Sequence, residues 1–335
     1  MTGRAVTFVV ILRGFVRSVK DHRSPSAWIP RLSSWNLAMY LAVSVIRSFL
    51  NSHSRDLRTL RAVTDFSFLP TIPRGAMWRD THVDGIRTEI VWPRKWGSAL
   101  PTLEGRRIVL YLHGGGGVLC SSLTHRAVTH GIAVTSDAVL VVPNYRRAPE
   151  HCFTEAVADC LTMYEWLLQQ SREHPDCISL AGDSAGGALV VLTLCKIREE
   201  GFPMPSCGLL LSPWCDVTSV PTAAGSAAVD YITADALDFM GSMLVREGSD
   251  IEVVNPSRQK LTGFPPLLIQ YGDSEILSDQ IRTFAKWCES HKVQVELIEY
   301  FEMVHVPHFF SIVSREGHRA LLDLAQFMTS VHTRY

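Results

Sequence analysis

Short apolar runs alternate with helical patterns from about residue 85 to the end of the chain. Each run is rich in Val, Ile and Leu and keeps its polar residues at its ends, which is typical of strands buried on both faces of a sheet. The runs predict strands at 108–112, 138–142, 178–181, 209–211, 267–271 and 295–300. Helical patterns predict helices at 122–136, 153–171, 185–200, 279–291 and 314–331. This alternation predicts an α/β fold with a mostly parallel central sheet and helices on both faces.

Two stretches do not follow the alternation. Residues 1–80 precede the first predicted strand and read as helices and loops, and residues 216–262 contain a helical pattern at 234–246. Open α/β sheets bind ligands beyond the carboxyl ends of their strands, so we expect both stretches to form a helical lid there. The predicted organisation is a helical N-terminal lid segment, residues 1–80, and a main domain, residues 81–335, with a lid insertion at about 216–262.

The composition excludes several classes of protein. With 335 residues, 47% hydrophobic and 19% charged, the chain suits one large globular domain with a lid and not a disordered protein. A net charge of −1 argues against nucleic acid as a partner. Residues 1–100 carry 15 Lys and Arg against 6 Asp and Glu, which predicts a basic surface on the N-terminal segment. Attraction to an anionic membrane is the alternative interpretation of this excess.

Neither a metal site nor a membrane span is predicted. The eight cysteines are scattered with no Cys-x-x-Cys pair, so no zinc site and no cofactor are indicated. No apolar run reaches the roughly 20 residues that cross a bilayer. The run at 5–12 has no clear cleavage site after it, and the run at 37–50 predicts a buried or interfacial helix. Without a glycosylation sequon, the chain is predicted to be cytoplasmic, with membrane association through the basic, apolar N-terminal segment left open.

The strongest chemical signal is the run Leu-Ala-Gly-Asp-Ser-Ala-Gly-Gly at residues 180–187. It contains Gly-x-Ser-x-Gly directly after a predicted strand and directly before a predicted helix. In that context a serine lies on a very sharp turn with its hydroxyl exposed at the edge of the sheet. Gly182, Ala185 and Gly186 have almost no side chain, as such a turn requires. We therefore interpret Ser184 as a nucleophile.

A His-Gly-Gly-Gly-Gly run begins at His113, again directly after a predicted strand. Consecutive glycines let backbone N–H groups approach an oxyanion without a Cβ in the way. We assign such donors to Gly115 and Gly116, with the N–H of Ala185 as a third. His113 and Gly114 are then a structural motif that holds the loop. Neither the dinucleotide-binding pattern nor the P-loop pattern fits this run.

A nucleophilic serine needs a base, and the base needs a carboxylate that orients it. In a fold with this serine turn, the serine, the acid and the histidine follow one another in that order along the chain. The acid should therefore follow the strand at 267–271, and the histidine should follow the strand that ends at residue 300. Both loops should emerge at the edge of the sheet that carries Ser184. The candidates there are Asp273, Glu275 and Asp279 for the acid, and His305 and His308 for the histidine.

Six ordered blocks between about residues 105 and 310 resemble the hormone-sensitive-lipase-like branch of the α/β-hydrolases, the carboxylesterases of bacterial family IV type. This resemblance implies the α/β-hydrolase fold with a helical lid. The matching blocks are 113–116, 144–151, 182–186, 211–216, 265–279 and 303–306.

Carried over residue by residue, the resemblance implies that Ser184 is the nucleophile and His305 the base. Members of the family carry a carboxylate two positions before the leucine that matches Leu277, which selects Glu275 as the acid. Asp273 is the alternative acid.

Three further expectations concern neighbouring positions. Asp279 is interpreted as a helix N-cap, and Arg146 and Glu150 are expected to form a structural ion pair. The family usually carries an aromatic residue where Gly117 stands and a glycine where Cys120 stands. The missing ring predicts more room beside the nucleophile and hence a bulkier substrate.

The resemblance implies a serine hydrolase that cleaves carboxylic esters of a small hydrophobic molecule through an acyl-enzyme. A non-hydrolytic enzyme of the same fold is the alternative, either a dehydratase or lyase, or an acyltransferase, acting on a specialised metabolite. A small-molecule receptor of this family would lack the catalytic histidine, so His305 argues against that reading. The predicted partner is a small-molecule ester, and a homodimer is left open.

Overall fold

A central eight-stranded sheet organises the molecule in the computed structural model. The model describes residues 32–65, 75–172, 174–219, 229–246 and 250–332. The strands lie in the order β1-β2-β4-β3-β5-β6-β7-β8. They are β1 (Ala76–Val83), β2 (Ile86–Pro93), β3 (Ile108–Leu112), β4 (Val139–Pro143), β5 (Ile178–Asp183), β6 (Cys207–Leu211), β7 (Leu267–Gly272) and β8 (Val295–Tyr300).

The sheet is mostly parallel, which confirms the predicted fold class. Strands β4, β3, β5, β6, β7 and β8 run parallel to one another, and only β1 and β2 are antiparallel additions at one edge. The carboxyl ends of the six parallel strands therefore lie along a single edge. The loops that follow β3, β5, β6, β7 and β8 all begin there.

Helices cover both faces of the sheet. Those within the described residues are α1 (Leu37–Ser52), α2 (Leu57–Thr64), α3 (Arg126–Ser136), α4 (Phe153–Gln170), α5 (Ala185–Glu199), α6 (Ala234–Gly241), α7 (Ser278–Ser290) and α8 (Arg315–Val331). Alternate residues of β3 belong to the two different cores, because successive side chains of a strand point to opposite faces. Leu110 packs in the core under α4, α5 and α7, whereas Tyr111 packs in the core under α3 and α8.

Helix α5 is buried almost all round and lies against the middle of the sheet. Twelve of its 15 residues are buried, which is typical of a helix in the core of a large domain. Its first turn approaches the end of β3 so closely that a Cβ on Gly186 would overlap the carbonyl oxygen of Leu112. Glycine at this position therefore lets α5 begin directly beside the end of β3.

The six strands predicted from the sequence are present within two residues of their predicted ends. Strand β1 spans the predicted boundary between residues 80 and 81. Most residues in the middle of β1 are exposed, among them Arg79 and Asp80. Its pattern therefore lacks the apolar run that marks the other strands, and pairing with β2 decides its conformation. Two helices are shorter than predicted, since α3 begins at Arg126 and α6 ends at Gly241.

Helix α1 is half-buried, as predicted for the apolar run at 37–50. Asn36 caps its N-terminus by accepting a hydrogen bond from the Met39 N–H, at 2.8 Å. Met39 and Val43 are buried against the segment that begins at residue 229 and the loop that follows β8, whereas Leu37 and Leu41 are exposed. No helix in the described parts of the chain is long and apolar enough to span a bilayer. The run at 5–12 lies outside the described residues.

The expected ion pair between Arg146 and Glu150 is wrong. Arg146 instead binds Asp159, at 2.7 Å. Glu150 is bound by Arg61 of α2, at 2.6 Å, and this guanidinium also donates to the carbonyl oxygens of Val118 and Ala148. One arginine of the N-terminal helices thus holds two loops at the carboxyl edge of the sheet.

A buried ion pair provides a test of the packing between β2 and α3. Arg126 Nε donates to Glu89 Oε2 at 2.9 Å, and the Glu89 side chain is wholly buried. Burial raises the pKa of Glu89, and the guanidinium opposes that rise. We expect Arg126→Met to lower the free energy of unfolding at pH 7 by roughly 3 kcal/mol, because it leaves a buried charge without its partner. Urea unfolding measures the loss.

The loss should shrink as the pH falls from 7 to 5. The folded-state pKa of Glu89 is already raised and rises further without Arg126, so the carboxylate takes up a proton and the buried charge disappears. The double variant Glu89→Gln/Arg126→Met is the control and should recover much of the stability at pH 7. An equal loss at both pH values would contradict this account.

Candidate functional site

Ser184 lies on a strained turn between β5 and α5. Its φ and ψ are 53° and −121°, a region that residues other than glycine rarely adopt. Two backbone hydrogen bonds hold the turn. The Ser184 N–H donates to the carbonyl oxygen of Leu211, and the Ser184 carbonyl oxygen accepts from the N–H of Trp214, each at 2.9 Å. The neighbouring strand β6 and the loop after it therefore fix the serine at the edge of the sheet.

The glycine loop after β3 packs directly against this turn. Gly115, Gly116 and Gly117 have φ of 106°, 63° and 72°, a left-handed conformation that favours glycine. The N–H of Gly114 donates to the Asp183 carboxylate at 3.0 Å. Within the described part of the chain, no acceptor is found for the N–H groups of Gly115, Gly116 and Ala185. These three donors are the ones that the sequence analysis assigned to an oxyanion.

His113 is buried and packs against the glycine loop. Its ring stacks on Tyr145 with the ring centroids 4.3 Å apart, and its Nδ1 lies 2.8 Å from the carbonyl oxygen of Gly114. Burial lowers the pKa of His113 to about 3, so the ring is neutral at ordinary pH. The Tyr145 hydroxyl donates to the His113 carbonyl oxygen at 2.5 Å. These contacts suit a residue that supports the loop.

Asp183 joins the serine turn to the glycine loop. Its carboxylate accepts hydrogen bonds from the Tyr111 hydroxyl, at 2.7 Å, and from Gly114, and it lies 3.2 Å from His125 Nε2. Burial alone would raise the pKa of Asp183, but His125 and the bond from Tyr111 hold it below its usual value. His125 has no motif of its own, so the sequence does not predict it as a site residue.

Glu275 is brought to His305, and Asp273 is not. The two side chains are almost wholly buried, and Glu275 Oε1 lies 3.4 Å from His305 Nδ1. Asp273 is half-buried and instead accepts a hydrogen bond from the Ser274 hydroxyl at 2.8 Å. Asp279 lies exposed in the first turn of α7, where Leu277 occupies the N-cap position. The expectation of an N-cap at Asp279 is therefore wrong by two positions.

His305 lies in the loop after β8 and is held through its backbone. The carboxylate of Asp230 accepts from its N–H at 3.2 Å, and the hydroxyl of Tyr231 donates to its carbonyl oxygen at 2.9 Å. Burial alone would lower the pKa of His305, but Glu275 and Asp230 raise it above the ordinary value. His308 binds Gln270 at 3.0 Å, and burial lowers its pKa to about 3.

Ser212 links the loop of Glu275 to the loop of His305. Its hydroxyl donates to Glu275 Oε2 at 2.6 Å and accepts from the N–H of Val306 at 2.9 Å. The N–H of Gly272 donates to the same carboxylate oxygen, also at 2.9 Å. Ser212, Asp230 and Tyr231 were missed as site residues. Only Ser212 had a signal in the sequence, since it lies in the block at 211–216.

The hydroxyl of Ser184 forms no hydrogen bond of 3.5 Å or less with His305 or any other described residue. Hydrogen bonds at unliganded sites are often long and tighten only when a substrate binds. The Ser184 turn is nevertheless joined to the other two loops through β6, because Leu211 binds Ser184 and Ser212 binds Glu275. Ser184, Glu275 and His305 therefore lie on loops that share one edge of the sheet.

The segment after residue 229 lies directly on the glycine loop. A Cβ on Gly116 would overlap the side chain of Met240 in α6. A Cβ on Gly117 would come within 2.8 Å of Leu244 and 2.9 Å of Phe153. The expectation of extra room where the family carries an aromatic residue is therefore wrong at Gly117 itself, since these two side chains already fill the space.

Within the parts of the chain that the structure describes, no group of three or more His, Cys, Asp or Glu side chains could hold a metal ion.

Comparisons with known proteins agree with the fold described above. The sequence profile of the alpha/beta hydrolase fold family matches residues 109–309. An acetyl-hydrolase of Streptomyces hygroscopicus is 35% identical over 232 residues, which cover 68% of this chain and 77% of that protein. The carboxylesterase NlhH of Mycobacterium tuberculosis is 30% identical over 240 residues, which cover 68% of this chain and 73% of the relative.

Solved structures resemble the chain over most of its length. The esterase EstE5, in a crystal soaked with p-nitrophenyl butyrate, superposes with a TM-score of 0.73 at 30% identity and covers 86% of this chain and 99% of its own. A hormone-sensitive lipase from a metagenome library superposes with a TM-score of 0.74 at 27% identity, covering 85% of this chain and 97% of its own. Both likenesses confirm the resemblance drawn from the six sequence blocks.

The choice between the two acids can be tested without any reaction. We expect Glu275→Gln to lower the pKa of the His305 ring by about one unit or more, because a buried negative charge next to the ring is removed. Asp273→Asn is the matched control and should leave that pKa unchanged. The measurement is an NMR titration of the ¹⁵N-labelled histidine rings, with the His305 signals assigned from a His305→Gln variant. A larger fall in Asp273→Asn would reverse the assignment.

Proposed function

The chain belongs to the alpha/beta hydrolase fold family, and we propose that it is a serine hydrolase that cleaves carboxylic esters of small hydrophobic molecules. One observation carries the proposal. A serine on a strained turn, three backbone N–H groups that have no acceptor among the described residues and a buried Glu275–His305 pair lie on loops at one edge of the sheet. The relatives named acetyl-hydrolase and carboxylesterase support the same reaction class.

In the proposed mechanism, His305 acts as the general base. Its Nε2 takes the proton of the Ser184 hydroxyl while the oxygen attacks the ester carbonyl. Glu275 faces Nδ1, so it holds the proton on that nitrogen, leaves Nε2 free to accept, and stabilises the imidazolium that forms. The imidazolium then protonates the leaving alcohol. Water attacks the acyl-enzyme in the second half of the reaction, again with His305 as the base.

The backbone supplies the proposed oxyanion hole. The N–H groups of Gly115, Gly116 and Ala185 would receive the charge that develops on the carbonyl oxygen, and each such donor contributes about 3 kcal/mol to lowering the barrier. Ala185 is also the first residue of α5, whose N-terminus favours negative charge. These donors have no acceptor among the residues that the structure describes, which suits preorganised catalysis because no hydrogen bond to those residues must break first.

We also propose that the helices before β1 and the segment around α6 form the lid of this site. Helix α1 packs on the segment that begins at residue 229, and α6 packs on the glycine loop. The close approach of Met240 to Gly116 and of Leu244 to Gly117 restricts the space beside the oxyanion hole. The proposed substrate therefore carries a short acyl group. The name of the acetyl-hydrolase relative supports this choice.

Replacement of the nucleophile tests the reaction. We expect Ser184→Ala to lower kcat for p-nitrophenyl butanoate by on the order of 10⁶, because the proposed mechanism forms the acyl-enzyme on the Ser184 hydroxyl. The free acid and the alcohol are identified by mass spectrometry. Ser290→Ala, at the exposed end of α7, is the matched control and should retain wild-type turnover. Near-normal hydrolysis by Ser184→Ala would exclude the mechanism.

A series of p-nitrophenyl esters tests the acyl preference. We expect kcat/KM to be highest between acetate and butanoate and to fall at least about tenfold by decanoate, because the space beside Gly116 is filled. Met240→Ala should move the optimum to longer chains. Leu322→Ala, on the exposed side of α8, is the control. An optimum at octanoate or longer in the wild type would contradict a short acyl site.

A further inference from the structure

The proposed mechanism gives no role to Asp230, a buried carboxylate at the site. Asp230 is wholly buried and belongs to the segment that leads into α6. Its Oδ1 accepts from the N–H of Tyr231, at 2.8 Å, and from the N–H of His305, at 3.2 Å. Its Oδ2 accepts from the N–H of Ile276, at 2.8 Å. The carboxylate thus binds the residue after the acid and the histidine itself.

We propose that Asp230 is a positioning residue of the lid segment, whose carboxylate fixes the loop of Glu275 against the loop of His305 and orients the histidine for its work as a base. This inference rests on the proposed function. It extends that function, because the lid segment would then hold the catalytic residues in place as well as cover the substrate site.

The geometry supports positioning because the three N–H groups come from different parts of the chain. Ile276 follows β7 and His305 follows β8, whereas Asp230 comes from the segment before α6. A carboxylate has enough lone pairs to accept all three bonds, but an amide in its place has one oxygen and two N–H donors. A neutral substitute therefore loses at least one of these bonds. Displacement of a catalytic group by about 1 Å can cost roughly 100-fold in rate.

The charge of Asp230 also acts on the histidine. Burial raises the pKa of Asp230 to about 6, an effect that His305 opposes and Glu275 reinforces. The carboxylate is therefore mostly ionised at neutral pH, where its charge raises the pKa of His305. The other groups that face this pair are Arg47, which donates to the Asp230 carbonyl oxygen, Tyr231, and Asp183 beyond the histidine.

Tyr231 provides a matched control. Its hydroxyl donates to the carbonyl oxygen of His305, and its ring lies edge-on to the histidine ring with the centroids 5.9 Å apart. Tyr231→Phe therefore removes a bond to the same loop without removing a charge. A merely structural effect on the loop should appear in both variants, whereas an effect of the carboxylate should appear only at Asp230.

The experiment compares Asp230→Asn with Tyr231→Phe in the full chain. We expect Asp230→Asn to lower kcat for p-nitrophenyl butanoate about 100-fold with little change in KM. The base must be neutral to act, so kcat/KM falls as the pH drops through the pKa of His305. Without the negative charge that pKa falls, so the acid limb of kcat/KM should move to lower pH by about one unit. Tyr231→Phe should leave the limb where it is in the wild type.

A direct titration keeps this inference separate from the proposed function. The pKa of the His305 ring, measured by ¹⁵N NMR, should fall in Asp230→Asn and stay constant in Tyr231→Phe, whatever the turnover. If ester hydrolysis survives in Ser184→Ala, the proposed function is overturned. The titration of the His305 ring in Asp230→Asn still decides the role of Asp230 in that case. An unchanged ring pKa in Asp230→Asn, even with a lower kcat, would overturn the inference.

Folding is checked by thermal unfolding, with Asp230→Ser as a second neutral variant. If either neutral variant folds, the titration is performed on it, and the expected fall in the His305 pKa supports the inference. If neither folds while Tyr231→Phe does, Asp230 is required for the fold itself, and its assignment as a positioning residue of the site is overturned.

Discussion

The arrangement at the carboxyl edge depends on the strained backbone of Ser184. A serine at a φ of 53° is unfavourable by itself, so the surrounding structure must hold it. Strand β6 and the loop after it do so, because Leu211 binds the N–H of the serine and Trp214 binds its carbonyl oxygen. The same turn starts α5 directly beside β3, where Gly186 leaves room for the carbonyl oxygen of Leu112. The backbone of this turn therefore places both the serine and the N–H of Ala185, the first residue of α5.

Three buried carboxylates connect the loops around this turn. Asp183 binds the glycine loop, Glu275 binds the hydroxyl of Ser212 and faces His305, and Asp230 binds the loops of both Glu275 and His305. A buried charge is tolerated only when its oxygens are satisfied. The partners here include backbone N–H groups of other loops, namely Gly114 for Asp183, and His305 and Ile276 for Asp230. Satisfying each carboxylate therefore also fixes the distance between two parts of the site.

The proposed lid is connected to this network. The segment that begins at residue 229 supplies Asp230 and Tyr231 to the histidine loop, and α6 places Met240 against the glycine loop. Helix α1 packs behind that segment, next to the loop that carries His305. In the proposed function, the segment that begins at residue 229 and α6 therefore together limit the space for the substrate and hold the histidine loop. A substitution in either can alter substrate preference and catalytic geometry together.

The sequence by itself determined the parallel strands, the serine turn and the glycine loop. These features depend on apolar runs and on glycines at short spacing, which are local. The sequence also placed Glu275 and His305 on neighbouring loops, because the order of the strands fixes where those loops emerge. Only the tertiary structure decided that β1 joins the sheet and that Arg61, not Arg146, binds Glu150. It alone placed Ser212 and Asp230 between the loops, since such contacts join residues 46 to 94 positions apart and leave no local pattern.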